Sequence, residues 1–283
     1  MISMYSKEQS AKESKDKEAV DKKTKHPKGV DMSLFPPFKL AEKKYRYYIG
    51  CKTDFSELID LNNKGKEIDG VKYFQIEDSK YGRIYDAFSF DFPEGCIVIK
   101  DYLSIKDQIE LAKNCLNKYH HAPNRTNLYI YGDEGKKEEF KDKDGNYPSY
   151  DITQFLVADK EKYYFNKKIR WSNVGYQYDW NNRKYPSGKT AIGPELRDLA
   201  MRVVELMKMG DYDPEALIIN YYDKRNYMGG HLDDGELDQI SPIISYSLGL
   251  SCVFLMGGET KDIQPHAIRL DSGNIFSYLV LCY

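Results

Sequence analysis

Between Asn220 and Gly258 the chain reads NYYDKRNYMGGHLDDGELDQISPIISYSLGLSCVFLMGG. A strand-like run, Ala216–Tyr222, leads into a polar loop, and a longer strand-like run, Ile243–Met256, leads out of it. His231 and Asp233 stand two residues apart between the two runs. A nitrogen and a carboxylate oxygen offered from neighbouring turns of backbone can hold one metal ion. Two His and one carboxylate on one face of an octahedron, with the other face open, make a site suited to Fe(II). This stretch supplies two donors of such a set. On its own a His-x-Asp pair is more often a surface hydrogen-bonding pair, so the surrounding residues decide how it is read.

Composition narrows the classes. The 283 residues, 41% of them hydrophobic, suffice for one large domain with tails or for two small ones. The net charge of -2 excludes a polycation as a whole, though not a local basic patch. Tyr is abundant, with 25 residues available for half-buried sheet positions or for stacking on bases. Cys51, Cys96, Cys115, Cys252 and Cys282 are scattered with no CxxC pair, which suits a reducing compartment better than a disulfide framework or a zinc site. No apolar run reaches the roughly 20 residues needed to span a bilayer. Residues 1–28 hold eight Lys against five Asp or Glu, and such a segment is expected to stay disordered.

Three parts are expected: a disordered charged tail over 1–36, an N-terminal arm over 37–94 in which no periodic element stands out, and a domain over 95–283. Cys96–Ile99 reads as a short strand. Ser104 reads as an N-cap, and Ile105, Ile109, Ala112 and Leu116 follow at helical spacing, predicting a helix over about 105–120. Residues 132–148 read as an exposed loop. Trp171–Tyr178 reads as a strand on which Tyr176 and Tyr178 share a face by alternation. Pro194 opens a second helix with Leu196, Leu199, Val203 and Leu206 on one side and Gly210 beyond its end. Strands are predicted at Ala216–Tyr222, Ile243–Met256, Ala267–Leu270 and Ile275–Cys282. The pattern predicts an α+β fold, a double-stranded β-helix (jelly roll) flanked by helices.

Taken together, Asn220-Tyr221-Tyr222, His231-x-Asp233, Pro242-Ile-Ile-Ser245-Tyr-Ser247-Leu-Gly249 and Phe254-Leu-Met-Gly257-Gly258 resemble the core of AlkB-type Fe(II)/2-oxoglutarate dioxygenases. Trp171-Ser-Asn-Val-Gly-Tyr176-Gln-Tyr178 and Gly95-Cys-Ile-Val-Ile-Lys100 resemble the branch of the first AlkB homologue. The resemblance runs from about Phe92 to the C-terminus. It implies oxidative demethylation of N-methylated bases in tRNA or DNA, with methyladenines as candidates and with Fe(II), 2-oxoglutarate and O2. It also implies a monomer with no membrane partner, working inside the cell in nucleus, cytoplasm or mitochondrion. Residue by residue, His231 and Asp233 match iron ligands, and Asn220 and Tyr222 match positions that bind 2-oxoglutarate. Trp171, Tyr176 and Tyr178 match the aromatic strand lining the base pocket. The plainer alternatives are a buried amide and a half-buried phenol for Asn220 and Tyr222, and core aromatics for the other three. Ser245 and Ser247 alternate with apolar residues and read as structural.

The family has a further iron-binding His, and then an Arg for the far carboxylate of 2-oxoglutarate, beyond the turn matched here by Asp271-Ser272-Gly273-Asn274. No His or Arg follows Gly273 in this sequence. His266, beside Pro265 and before that turn, reads as a hairpin-loop residue. The expectation is therefore a C-terminally truncated domain lacking its last strands. Activity of that truncated chain is expected to be impaired, leaving a binding or regulatory module as the alternative function.

Overall fold

Ser104 caps a helix as its spacing requires. In the computed structural model the Ser104 hydroxyl accepts the Asp107 backbone N–H at 3.2 Å, satisfying one of the donors that a helix start leaves open. The structure describes residues 2–3, 34–46, 53–64, 67–121, 123–127, 169–178, 185, 188–210, 212–222, 226–233 and 241–278. The loop predicted over 132–148 lies outside them, as do residues 4–33 of the tail and the end of the last predicted strand. The chain divides into two compact units. One comprises Met1–Ser3, Glu77–Arg83 and Leu103–Tyr222; the other comprises Met4–Ile76, Ile84–Tyr102 and Asp223–Tyr283.

In the first unit, strand β1 (Ile2–Ser3) runs parallel to β6 (Ala216–Tyr222), and β5 (Trp171–Gly175) runs antiparallel to it. The capped helix is α2 (Ile105–Asn117), three residues shorter than predicted. Its apolar phase also differs from the prediction. Cys115 is its buried residue, whereas Ile105 and Ile109 are 70% and 51% exposed. Helix α3 (Pro194–Met207) starts at Pro194 as predicted and buries Leu196, Val203 and Val204. Lys208 ends it in the left-handed conformation, φ 54°, two residues before Gly210 at φ 77°.

The second unit is built on two facing sheets. Strands β2 (Val71–Asp78), β3 (Arg83–Phe90), β4 (Ile97–Ile99), β11 (Ile275–Tyr278) and β7 (Ile243–Tyr246) form a five-stranded sheet in that spatial order. Strands β9 (Cys252–Met256) and β10 (His266–Leu270) form an antiparallel pair. Register puts Phe88, Val98 and Phe276 in one row of the larger sheet. Phe254 and Ile268 stand opposite each other in the smaller one. Leu61, Phe88, Phe90, Cys96, Val98, Met256, Ile268, Leu270 and Phe276 form one buried cluster, with Phe254 packed against it. The Phe254 and Phe276 rings meet edge to face at 4.6 Å between centroids. Each such side chain taken from water contributes roughly 1.5–3 kcal/mol.

Two predictions change here. The 37–94 stretch, where no element was placed, contains helix α1 (Pro37–Tyr45) as well as β2 and β3. The run Ile243–Met256 is not one strand. It breaks into β7, β8 (Leu248–Gly249) and β9, because Gly249 takes φ 93° and turns the chain. Antiparallel sheets with few helices bear out the broad α+β expectation. Among the described residues no helix is long and apolar enough to cross a membrane.

Candidate functional site

The His231–Asp233 pair sits in the second unit, in the loop 226–233. His231 Nε2 and Asp233 Oδ1 lie 3.4 Å apart, and the two side chains keep 46% and 30% of their surface exposed. Each is oriented by a partner on its far side. His231 Nδ1 donates to the Gly229 carbonyl at 2.9 Å, which fixes the proton on Nδ1 and leaves the Nε2 lone pair towards Asp233. The Tyr278 hydroxyl, on β11, donates to Asp233 Oδ2 at 2.8 Å and leaves Oδ1 towards His231. Adjacent ligands of an octahedral ion with bonds of about 2.1 Å stand roughly 3 Å apart. The donor chemistry, the spacing and the outer hydrogen bonds all fit one divalent metal.

Among the described residues, no group of three His, Cys, Asp or Glu converges on a metal position. His266, read from sequence as a hairpin-loop residue, is instead the first residue of β10, paired with Met256. Its ring faces Phe90 at 6.0 Å, and burial pushes its pKa below the usual His value. A cavity of about 560 Å³ opens beside it, lined by Leu40, Lys43, Lys44, Tyr45, Pro265 and His266 among others. His231 and Asp233 are not in that lining, so this cavity and the candidate metal donors are separate features.

In the first unit, Trp171 pairs directly with Asn220 across β5 and β6. Directly opposed residues, and residues two apart on a strand, point to the same side. Trp171, Asn220 and Tyr222 therefore share one face of the ladder, and all three are half-buried. The opposite face is core: Ile219 and Tyr221 are 5% exposed. The Tyr221 hydroxyl donates to the Cys115 carbonyl at 2.5 Å and lies 3.2 Å from Ser172 Oγ. Burial drives its pKa well above the usual phenol value. The tyrosine between Asn220 and Tyr222 is thus a packing residue, and its two neighbours face the other way.

Tyr176 and Tyr178 lie beyond the strand predicted to carry them, yet their rings still meet one common neighbour. β5 ends at Gly175, where φ is 82°, and an added Cβ there would collide with the Glu215 carbonyl oxygen. Beyond that break both rings gather on Tyr185, at 6.2 Å for Tyr176 and 5.0 Å for Tyr178. Tyr178 is 9% exposed, whereas Tyr176 is half-buried beneath the Lys189 ammonium at 5.0 Å. Sequence reasoning missed Tyr185, Lys189 and Tyr278. Only the abundance of Tyr hinted at the first, and nothing local marks Tyr278 as a partner of Asp233, 45 residues away.

Comparison with known proteins adds to this geometry. The family model of the 2OG-Fe(II) oxygenase superfamily matches residues 95–278. The chain is 32% identical to the DNA N(6)-methyladenine demethylase ALKBH1A of Arabidopsis thaliana, over 84% of this chain and 79% of that protein. It is 30% identical to the tRNA demethylase abh1 of Schizosaccharomyces pombe, again over 84% and 79%. It is 34% identical to the nucleic acid dioxygenase ALKBH1 of Homo sapiens, over 58% of this chain and 41% of that protein.

Proposed function

The chain belongs to the 2OG-Fe(II) oxygenase superfamily and, within it, to the AlkB family, and from that premise we propose that it oxidatively removes methyl groups from N-methylated bases of nucleic acid. The observation that carries the reading is the His231–Asp233 pair, two metal donors 3.4 Å apart, each held from behind by a hydrogen bond. Fe(II) with 2-oxoglutarate and O2 supplies the oxidising power when bound. His231 Nε2 and Asp233 Oδ1 would hold the metal. Asn220 and Tyr222, on the half-buried face of β6, would bind 2-oxoglutarate through the side-chain amide and hydroxyl. Trp171 beside them, with Tyr176 and Tyr178, would supply aromatic surface for a base removed from its stack, where each stacked base contributes roughly 1–3 kcal/mol.

The same reading makes the fold a jelly roll, the protein a monomer and its place of work inside the cell, in nucleus, cytoplasm or mitochondrion. The relatives are named for N(6)-methyladenine in DNA and for tRNA, and methylated adenines in either nucleic acid are the candidate substrates here. The test is to incubate the chain with Fe(II), 2-oxoglutarate, ascorbate and oligonucleotides carrying 1-methyladenine or 6-methyladenine, and to assay formaldehyde and succinate. Base-dependent release that His231→Ala abolishes is the expected result. Tight binding of the methylated strand with no release in the wild type would replace the enzyme with the non-catalytic binding module.

A further inference from the structure

Helix α1 lies outside the residues matched by the family model, yet one of its faces grips the loop that carries His231 and Asp233. Phe38, Glu42 and Arg46 are spaced by four residues, a spacing that lines side chains up along one side of a helix. Arg46, the C-cap, stacks its guanidinium on the Tyr227 ring at 4.1 Å. Phe38 packs against Gly230 so closely that a Cβ added there would collide with its ring. Between these contacts Glu42 Oε1 accepts the Gly230 N–H at 2.6 Å, while Lys39 pairs with the other carboxylate oxygen.

The Gly230 N–H and the Gly229 carbonyl belong to one peptide unit. In a planar trans peptide they point in opposite directions. That unit therefore links the Glu42 carboxylate on one side to the His231 imidazole on the other, since the Gly229 carbonyl accepts from His231 Nδ1 at 2.9 Å. A charged acceptor on the N–H draws the peptide dipole into line and strengthens the carbonyl as an acceptor in turn. Gly230 suits this junction because a side chain there would collide with the Phe38 ring while its N–H meets Glu42.

We infer that Glu42 is a positioning residue for His231: it fixes the Gly229–Gly230 peptide, and the peptide fixes the tautomer and orientation of the imidazole. The consequence for metal binding rests on the proposed ligand role of His231, but the tautomer does not. Outer partners of metal-binding His residues have this effect generally, and losing one costs roughly 10- to 100-fold in metal affinity.

The experiment reads both quantities on the full chain. Histidine labelled with 15N reports the tautomer of metal-free protein at about pH 8, above the ordinary His titration. The spectrum of His231→Ala identifies the resonance. Wild type is expected to show His231 protonated on Nδ1, and Glu42→Ala to show a mixture with the Nε2–H form. Titration with Mn(II) is expected to give an affinity about 10- to 100-fold weaker in Glu42→Ala. Glu42→Gln keeps an acceptor without its charge, so it should keep the tautomer, move the Nδ1–H resonance upfield and recover most of the affinity. An unchanged tautomer in Glu42→Ala overturns the inference. Should that variant not fold, an unmoved Nδ1–H resonance in Glu42→Gln does so. If His231→Ala binds Mn(II) as wild type does, the metal reading fails, and the tautomer data still judge Glu42 separately.

Discussion

Tyr278 shows how one hydroxyl can orient a proposed metal donor. It holds Asp233 Oδ2 at 2.8 Å and so turns Oδ1 towards His231 Nε2. Its ring stacks on Phe276 at 5.0 Å, a contact that a phenylalanine would keep. Tyr278→Phe should therefore fold normally while releasing the carboxylate. The expected loss is about 10- to 100-fold in Mn(II) affinity, measured by EPR-detected titration with near-UV circular dichroism as the control for folding. Wild-type affinity in a folded Tyr278→Phe would mean that the carboxylate is set by the loop alone. At this scale the sequence reveals candidate donors that are close along the chain, such as His231 and Asp233. It hides what orients them, because Tyr278 lies 45 residues from Asp233 and Glu42 lies 188 residues from Gly230. No periodicity or spacing rule links residues so far apart, and only the folded sheets bring them into contact.

Two glycines of the first unit separate backbone strain from steric collision. Gly82 has φ 61° with nothing near the place of a Cβ, whereas Gly175 has φ 82° and the Glu215 carbonyl in that place. Gly82→Ala should cost about 1 kcal/mol from the left-handed conformation alone. Gly175→Ala should cost about 2–4 kcal/mol, since β5 and the residues before β6 must also move apart. Urea unfolding midpoints measure both, and equal losses would show that the Glu215 contact does not matter. Elements with strong local signals were legible: β6 from its apolar run, α3 from Pro194 and its apolar stripe, α2 from its Ser104 cap. Those with weak ones were not. β2 is an edge strand whose outward positions carry Lys72, Tyr73, Gln75 and Glu77, so little of its alternation is apolar. α1 is nine residues long and rich in Lys, and it buries only Phe38 and Ala41. The break at Gly249 is a matter of backbone conformation that hydropathy does not record.

For the molecule as a whole, acid should act in two steps. In the first unit, burial pushes the His120 pKa down to about 4, with His121 adding to the effect. An unfolded His titrates near 6.5, so between about pH 6.5 and 4 the unfolded chain binds a proton that the folded one refuses. The stability from this group is complete above about pH 6.5 and falls at about 1.4 kcal/mol per pH unit until the folded value is reached. His121 in the same unit and His266 in the second are also held low by burial and steepen the same limb. In the second unit, burial alone would raise the Asp271 carboxyl. Hydrogen bonds from Ser251, Asn62 and Arg269 outweigh it and hold the pKa below the usual carboxylate value. Its sign is that of a depressed carboxylate: its contribution is present above about pH 4 and is lost as pH falls through the folded value. The two steps can be separated with His120→Gln and Asp271→Asn, followed by urea unfolding from pH 7 down to pH 3. His120→Gln should flatten the limb between pH 6.5 and 4 by about one proton and leave the lower limb in place. Asp271→Asn should lower stability at neutral pH and soften only the fall below about pH 4. If His120→Gln kept the wild-type slope between pH 6.5 and 4, the first step would have to come from groups other than this buried imidazole.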